Sequence, residues 1–199
     1  MAPDDTKDRI VEAAIATLQS HGYAGASARA IATAGGFNQA LIFYHFGSVR
    51  NALLAALDRT SANRMLAYRD AAAEATNVEA LVQVATEIFH EDLASGHIKI
   101  LAELIAGASA DPALGPEIVE RIAPWIDFAR EEIERVSAGS PLAQLVPAED
   151  AAYAIVAQFL GLELLTHLDG NAQRAERLFA LAAGFSSIAS MAVTRGRER

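Results

Sequence analysis

Two groupings of ionisable residues have the types that chemistry needs. His90-Glu91-Asp92 is a run of possible metal ligands, and Glu163 and His167 stand four apart in a very apolar stretch. On a helix, His90 shares a face with Gln83, Thr86 and Glu87, away from the apolar stripe, so the run reads as a solvated face. Glu163 and His167 read as a satisfied interface pair rather than a catalytic acid and base. No nucleophile–base constellation, metal-ligand spacing or glycine-rich phosphate loop stands beside them. With no cysteine there is no disulfide and no thiolate ligand. An enzyme is the weakest reading, and neither a cofactor nor a metal is expected.

A third grouping is built on spacing. Residues 27–46 read SARAIATAGGFNQALIFYHF, in which Ala32, Gly36 and Ile42 follow the pattern Ala-x3-Gly-x5-Ile. That pattern suits a helix-turn-helix. A small residue lets two helices cross closely, a glycine takes positive φ where the chain reverses, and an isoleucine anchors the second helix. The second helix then presents its first residues to the DNA major groove. Asn38, Gln39 and Ala40 stand at that start, and amide side chains can bond N6 and N7 of adenine together. Asn38 is also an expected N-cap. Phe43 and Phe46 are expected in the core. Of Tyr44 and His45, at least one must point outward.

Helical periodicity runs through the rest of the chain, with no alternating run of strand length and no repeat. The first helix, residues 5–21, stacks Ile10, Ala14 and Leu18 on one stripe and stops at Gly22. Ser27 caps a short helix over 28–34, and another follows from Asn38 to about Tyr44. Gly47-Ser48 opens a long helix reaching about Ala75, with Leu54, Leu57, Ser61, Met65, Tyr68 and Ala72 on one face. Further helices are expected over 78–95, 98–108, 116–137 (bent or broken at Pro124), 147–168 and 172–194. The fold class is therefore all-α, about nine helices: a three-helix helix-turn-helix head, residues 1–47, and a larger helical body, 48–199. Glu117–Arg121 and Glu131–Arg135 read as i,i+4 pairs on a solvated face, and Lys99–Glu103 as a similar pair.

The flanks sharpen the motif. Ile10 through Gly22-Tyr23 supplies a supporting helix, followed by Ser27-x-Arg29-x-Ile31-Ala32 and then Ala40-Leu41-Ile42-Phe43-Tyr44-His45-Phe46-Gly47-Ser48. Over about residues 6–58 the chain resembles the DNA-binding domain of TetR-family transcriptional regulators. The resemblance implies DNA contacts by Ser27 and Arg29, phosphate contacts by Tyr44 and His45, and a cap with a phosphate bond at Ser48. The family often carries Lys after this serine. Here Val49 stands there, so one phosphate contact is lost or passes to Arg50.

The resemblance also implies a homodimer that binds a pseudo-palindromic double-stranded DNA operator and answers to a small molecule. Its expected form is a repressor whose body encloses a mainly apolar effector, with Ser61, Met65, Tyr68, Phe89, Leu104 and Trp125 as candidate lining. The helices over 147–168 and 172–194 carry small and apolar residues. Phe159, Glu163, His167, Phe185 and Ile188 are the expected dimer contacts. The main alternative is an architectural or interaction protein without an effector.

The N-terminus is acidic and without an apolar core, so no secretory signal is expected. The apolar run over 151–165 is interrupted by Gln158 and Glu163 and is expected to be a buried helix in a cytoplasmic protein, with no membrane partner. The net charge of −9 looks adverse to DNA. Yet residues 1–50 hold four basic and four acidic groups, so the excess lies in the body. A neutral head is still poor in cations for a DNA reader.

Overall fold

The computed structural model describes residues 3–138 and 146–197, with side chains described over 5–138 and 146–185. Among the described residues there are nine helices and no strand. They are α1 Pro3–Gly25, α2 Ala28–Gly35, α3 Ala40–Phe46, α4 Val49–Ala73, α5 Val78–Ser95, α6 His97–Gly107, α7 Leu114–Ser137, α8 Ala148–Asp169 and α9 Gln173–Arg197. Helix α7 continues through Pro124. The chain divides into two compact units: the first takes residues up to Arg64 with Gly96–Arg121, the second Met65–Ser95 with the chain from Ile122 onward.

The first unit is built on the stripe that the α1 sequence dictates. Ile10, Ala14 and Leu18, four apart, are wholly buried with Ile31 of α2, Ile42 of α3, Leu53 and Leu54 of α4, and Ile98, Ile100 and Leu104 of α6. Each large aliphatic side chain buried in this way stabilises the fold by roughly 1.5–3 kcal/mol. Gly22 interrupts α1 with φ of +67°. The freed N–H of Tyr23 donates to Glu103 Oε2 of α6 at 2.9 Å. A Cβ on Gly22 would stand 2.6 Å from that carboxylate oxygen, and one on Gly107 would stand 2.5 Å from the Tyr23 ring. Glycine at both positions lets α6 lie against the end of α1.

Charged side chains join the helices of this unit. Arg59 of α4 pairs with Asp8 and Glu12 of α1. Arg121 of α7 pairs with Asp58 of α4 at 2.7 Å. Arg121 therefore reaches across to another helix, and Glu117 instead stands 3.6 Å from Arg50.

In the second unit α5 packs against α8 and α9. Phe89 is wholly buried there, with ring centroids 6.0 Å from Phe159 and 5.3 Å from Phe179. Arg135 of α7 donates to the carbonyls of Ala72 and Ala75, at 2.8 and 2.6 Å, and so ties α7 to the end of α4 and the turn that follows it. The expected Glu131–Arg135 pair is again replaced by contacts between helices, because Glu131 takes Arg69 at 3.1 Å.

One expectation is reversed outright. Helix α8 is not buried within the chain: only Ala152, Glu163 and Thr166 are. By length and composition it is apolar enough to cross a membrane, and it is the only described helix that is so by itself. Its outward face, Tyr153, Ala157, Gly161, Leu165 and Leu168, repeats every three or four residues and carries its exposed tyrosine and leucines.

Candidate nucleic-acid interface

Helix α2 begins as its sequence requires. Ser27 is extended, and its Oγ accepts from the N–H of Ala30 at 3.2 Å. The helix ends where Gly36 turns left-handed, φ +65°, and its N–H reaches back to the carbonyls of Ala32 and Thr33. Asn38 Oδ1 accepts from the Ala40 N–H at 2.9 Å, which organises the first turn of α3. Ile42, wholly buried, pins α3 to the core. Gly47, φ +75°, ends it, and Ser48 Oγ accepts from the Asn51 N–H at 3.1 Å to start α4.

This scaffold leaves Asn38, Gln39 and Ala40 exposed on the turn and first residue of α3. They border a shallow open depression with Arg29, Ala32, Thr33, Gly36 and Phe37. Arg29 and Ser27 are exposed, Ser48 and His45 half-buried, and Tyr44 is 81% exposed with its ring edge-on to His45 at 4.9 Å. Every residue expected at the interface thus lies on α2, α3 or the turns that bound them.

Two aromatic residues differ from expectation. Phe43 is 51% exposed rather than in the core, and Phe46 is half-buried. Ile42 already occupies the inward direction, and Phe43 follows about 100° further round the helix. Arg50 does not extend free beside Ser48: its guanidinium is held by Asp111 and Glu117. Thr33 and Phe37 were absent from the expected set, and only the packing of α2 on α3 reveals that they border the same depression.

Residues 10–57, which span this scaffold, match the family described as "Bacterial regulatory proteins, tetR family". That segment is similar to the DNA-binding domain of TetR-family transcriptional regulators. The chain is 30% identical, over 125 residues, to the HTH-type transcriptional repressor AcnR of Corynebacterium glutamicum. That match covers 63% of this chain and 58% of AcnR, a little over half of the relative's length. The likeness in fold to solved structures extends well beyond the head. A structure of the fatty acid degradation regulator FadR from Bacillus halodurans superposes with a TM-score of 0.73 at 19% identity, covering 90% of this chain and 93% of that one. A TetR transcription regulator from Haloarcula marismortui gives 0.72 at 18%, covering 93% and 98%.

The residues expected to serve a TetR-family effector pocket are distributed over both units. Leu104 is core of the first unit, and Ser61, half-buried, lies in it too. In the second unit Tyr68 is buried with its ring 5.3 Å from Trp125, Phe89 is wholly buried and Met65 half-buried. Among the expected dimer contacts, Phe159 and Glu163 turn inward toward α5, while His167 is exposed and Phe185 is 71% exposed. The side chain of Ile188 lies outside the described residues. Tyr153, Ile155, Leu165, Leu168, Leu178 and Leu181 are exposed apolar residues on the same two helices that sequence reasoning passed over.

The His90-Glu91-Asp92 run is split. His90 and Glu91 are exposed, and His90 stands 3.9 Å from Glu176. Asp92 is buried, against expectation: it accepts from the Tyr68 hydroxyl and lies in hydrogen-bond contact with Glu163. Burial, and then the neighbouring Glu163 carboxyl, push Asp92 up to about 10, so it is neutral near pH 7. In the first unit, burial and then the charge of Arg64 push His97 down to about 3, and its Nδ1 is 2.8 Å from Thr60 Oγ1. No group of three or more possible metal ligands occurs among the described residues.

Proposed function

We propose that this chain is a sequence-specific DNA-binding regulator that acts as a homodimer and represses transcription. The observation that carries the reading is the exposed start of α3. Asn38, Gln39 and Ala40 are exposed at the start of a helix whose third residue, Ile42, is locked in the core. A rigid helix with exposed amides at its N-terminal end is the arrangement that reads base edges in the major groove. Ser27, Arg29, Tyr44, His45 and Ser48 hold the phosphates. The head is residues 1–47 and the body 48–199, with α4 belonging to both. Repression is favoured by AcnR, a repressor by name.

Dimerisation is supported by the apolar residues that α8 and α9 expose, which a second copy would cover. Two heads would then meet half-sites about 34–36 Å apart on one side of a pseudo-palindrome. A small, mainly apolar effector in the body would release the operator by favouring a different position of α4. Tyr68, Phe89 and Trp125, which share the second unit, are its strongest candidate lining. The chain would act in the cytoplasm, where the chromosome is, and as a binder rather than an enzyme.

Capture of genomic fragments by the purified protein, followed by sequencing, tests the reading. An enriched pseudo-palindrome is expected. A population of fragments without a shared motif would remove the central assignment.

A further inference from the structure

The head holds only four basic residues up to position 50: Lys7, Arg9, Arg29 and Arg50. Two of them are engaged within the protein. Arg9 donates to the carbonyl of Gly35 at 3.0 Å and so ties α1 to the end of α2. Arg50, in the first turn of α4 and two residues past Ser48, is drawn onto the segment joining α6 to α7. Its Nη1 is 3.1 and 3.3 Å from the two carboxylate oxygens of Asp111, and its Nε is 3.6 Å from Glu117 Oε1. That segment is itself anchored. Gly107 lets the Tyr23 ring approach closely, and the Tyr23 hydroxyl is raised first by burial and then by the charge of Asp111. All of these groups lie in the first compact unit.

The geometry points to Asp111 and Glu117 acting as an intramolecular phosphate mimic that holds Arg50 back from DNA. The inference rests on the DNA-reading role of the head. A guanidinium donates to carboxylate and to phosphate oxygens through the same fork, so the two compete for one cation. The competition is close because the three side chains are about one-third exposed, at 35%, 33% and 32%, and a solvated ion pair of that kind is weak. The position also fits: Arg50 stands two residues past Ser48, whose Oγ caps α4 and which the proposed function sets against a phosphate. A protein with so few head cations thus keeps one in reserve, and any movement of the α6–α7 segment away from α4 would release it.

The test is Asp111→Asn with Glu117→Gln, measured by fluorescence anisotropy on a mixed-sequence duplex across a salt titration. A mixed sequence suffices because phosphate contacts act on all sequences alike. Binding is expected to tighten about tenfold at low salt, and the plot of log K against log salt to steepen by about 0.9 for each head engaged. Adding Arg50→Met to the double variant should abolish both gains. A gain that survives Arg50→Met would come from the lost negative charge alone and would overturn the inference. Unchanged or weaker binding with an unaltered slope would make the ion pairs a strut and overturn it too. Should the double variant melt early, Asp111→Asn alone carries the same test with a smaller gain. If neither wild type nor variant binds any duplex, the DNA-reading role itself fails. If wild type binds and the variants match it, only the latch fails.

Discussion

Under the proposed function Gln39 and Tyr44 would make different demands on DNA, and the difference separates base reading from backbone anchoring. Gln39 is an exposed amide on the turn into α3, placed where a bidentate bond to a base edge is possible. Tyr44, one turn later and 81% exposed, has a single hydroxyl to offer a phosphate. Gln39→Ala should therefore flatten the preference at one operator position, at a cost of about 1–3 kcal/mol for the preferred base. Tyr44→Phe should weaken every sequence alike. Binding measured over a panel of operator variants distinguishes them: a Gln39→Ala profile identical to wild type would refute its role. So would discrimination lost in Tyr44→Phe without general weakening.

At the scale of the helices, what was legible in the sequence is what short-range physics decides. The glycine that breaks α1, the serines that start α2 and α4, and the stripe of Ile10, Ala14 and Leu18 all follow from local geometry, and so does the helix-turn-helix with its exposed amides. The rest depended on partners distant in sequence. Phe43 could not be told from Ile42 by type, because only the packing of α1 and α2 chooses which one faces in. The i,i+4 pairs expected on α7 gave way to Arg121–Asp58 and Arg69–Glu131, since a neighbouring helix offered a carboxylate as near as the next turn did. Asp92 stands three residues past Phe89 and four past Ile88, on the apolar stripe of α5, but its charged type reads as a surface residue. Its partners, Tyr68 on α4 and Glu163 on α8, are brought to it by the tertiary fold.

That buried junction of three helices has a pH signature. The Asp92 carboxyl titrates at about 10 in the fold against 3.8 as a free group, so the folded chain retains a proton that the unfolded chain releases. Its influence is absent below pH 3.8, and stability falls as pH rises from there toward 10. Asp92→Asn keeps a neutral partner for Tyr68 and removes the titration. Thermal melts at about pH 6 and about pH 9 should show wild type losing stability on the alkaline side and Asp92→Asn losing less. Equal losses in the two proteins would contradict a neutral Asp92.

For the whole molecule, the uneven charge and the bare faces of α8 and α9 lead to one linked expectation. Residues 1–50 are neutral and the remainder carries the full excess of −9, so in the proposed dimer DNA affinity would come from few cations, doubled by pairing two heads. Leu168 is 79% and Phe185 71% exposed. Leu168→Glu with Phe185→Glu should leave the melting temperature of the chain near that of its unpaired form, yet place charge where a second copy would pack. Sedimentation should then report a monomer where wild type reports a dimer. Operator binding should weaken by orders of magnitude, and its salt slope should fall to about half, because each head contributes its own phosphate contacts at about 0.9 per contact. A charged variant that still sediments as wild type would show that these faces are covered by something other than a second copy. A monomer that kept the full slope would show that one head alone carries the DNA contacts.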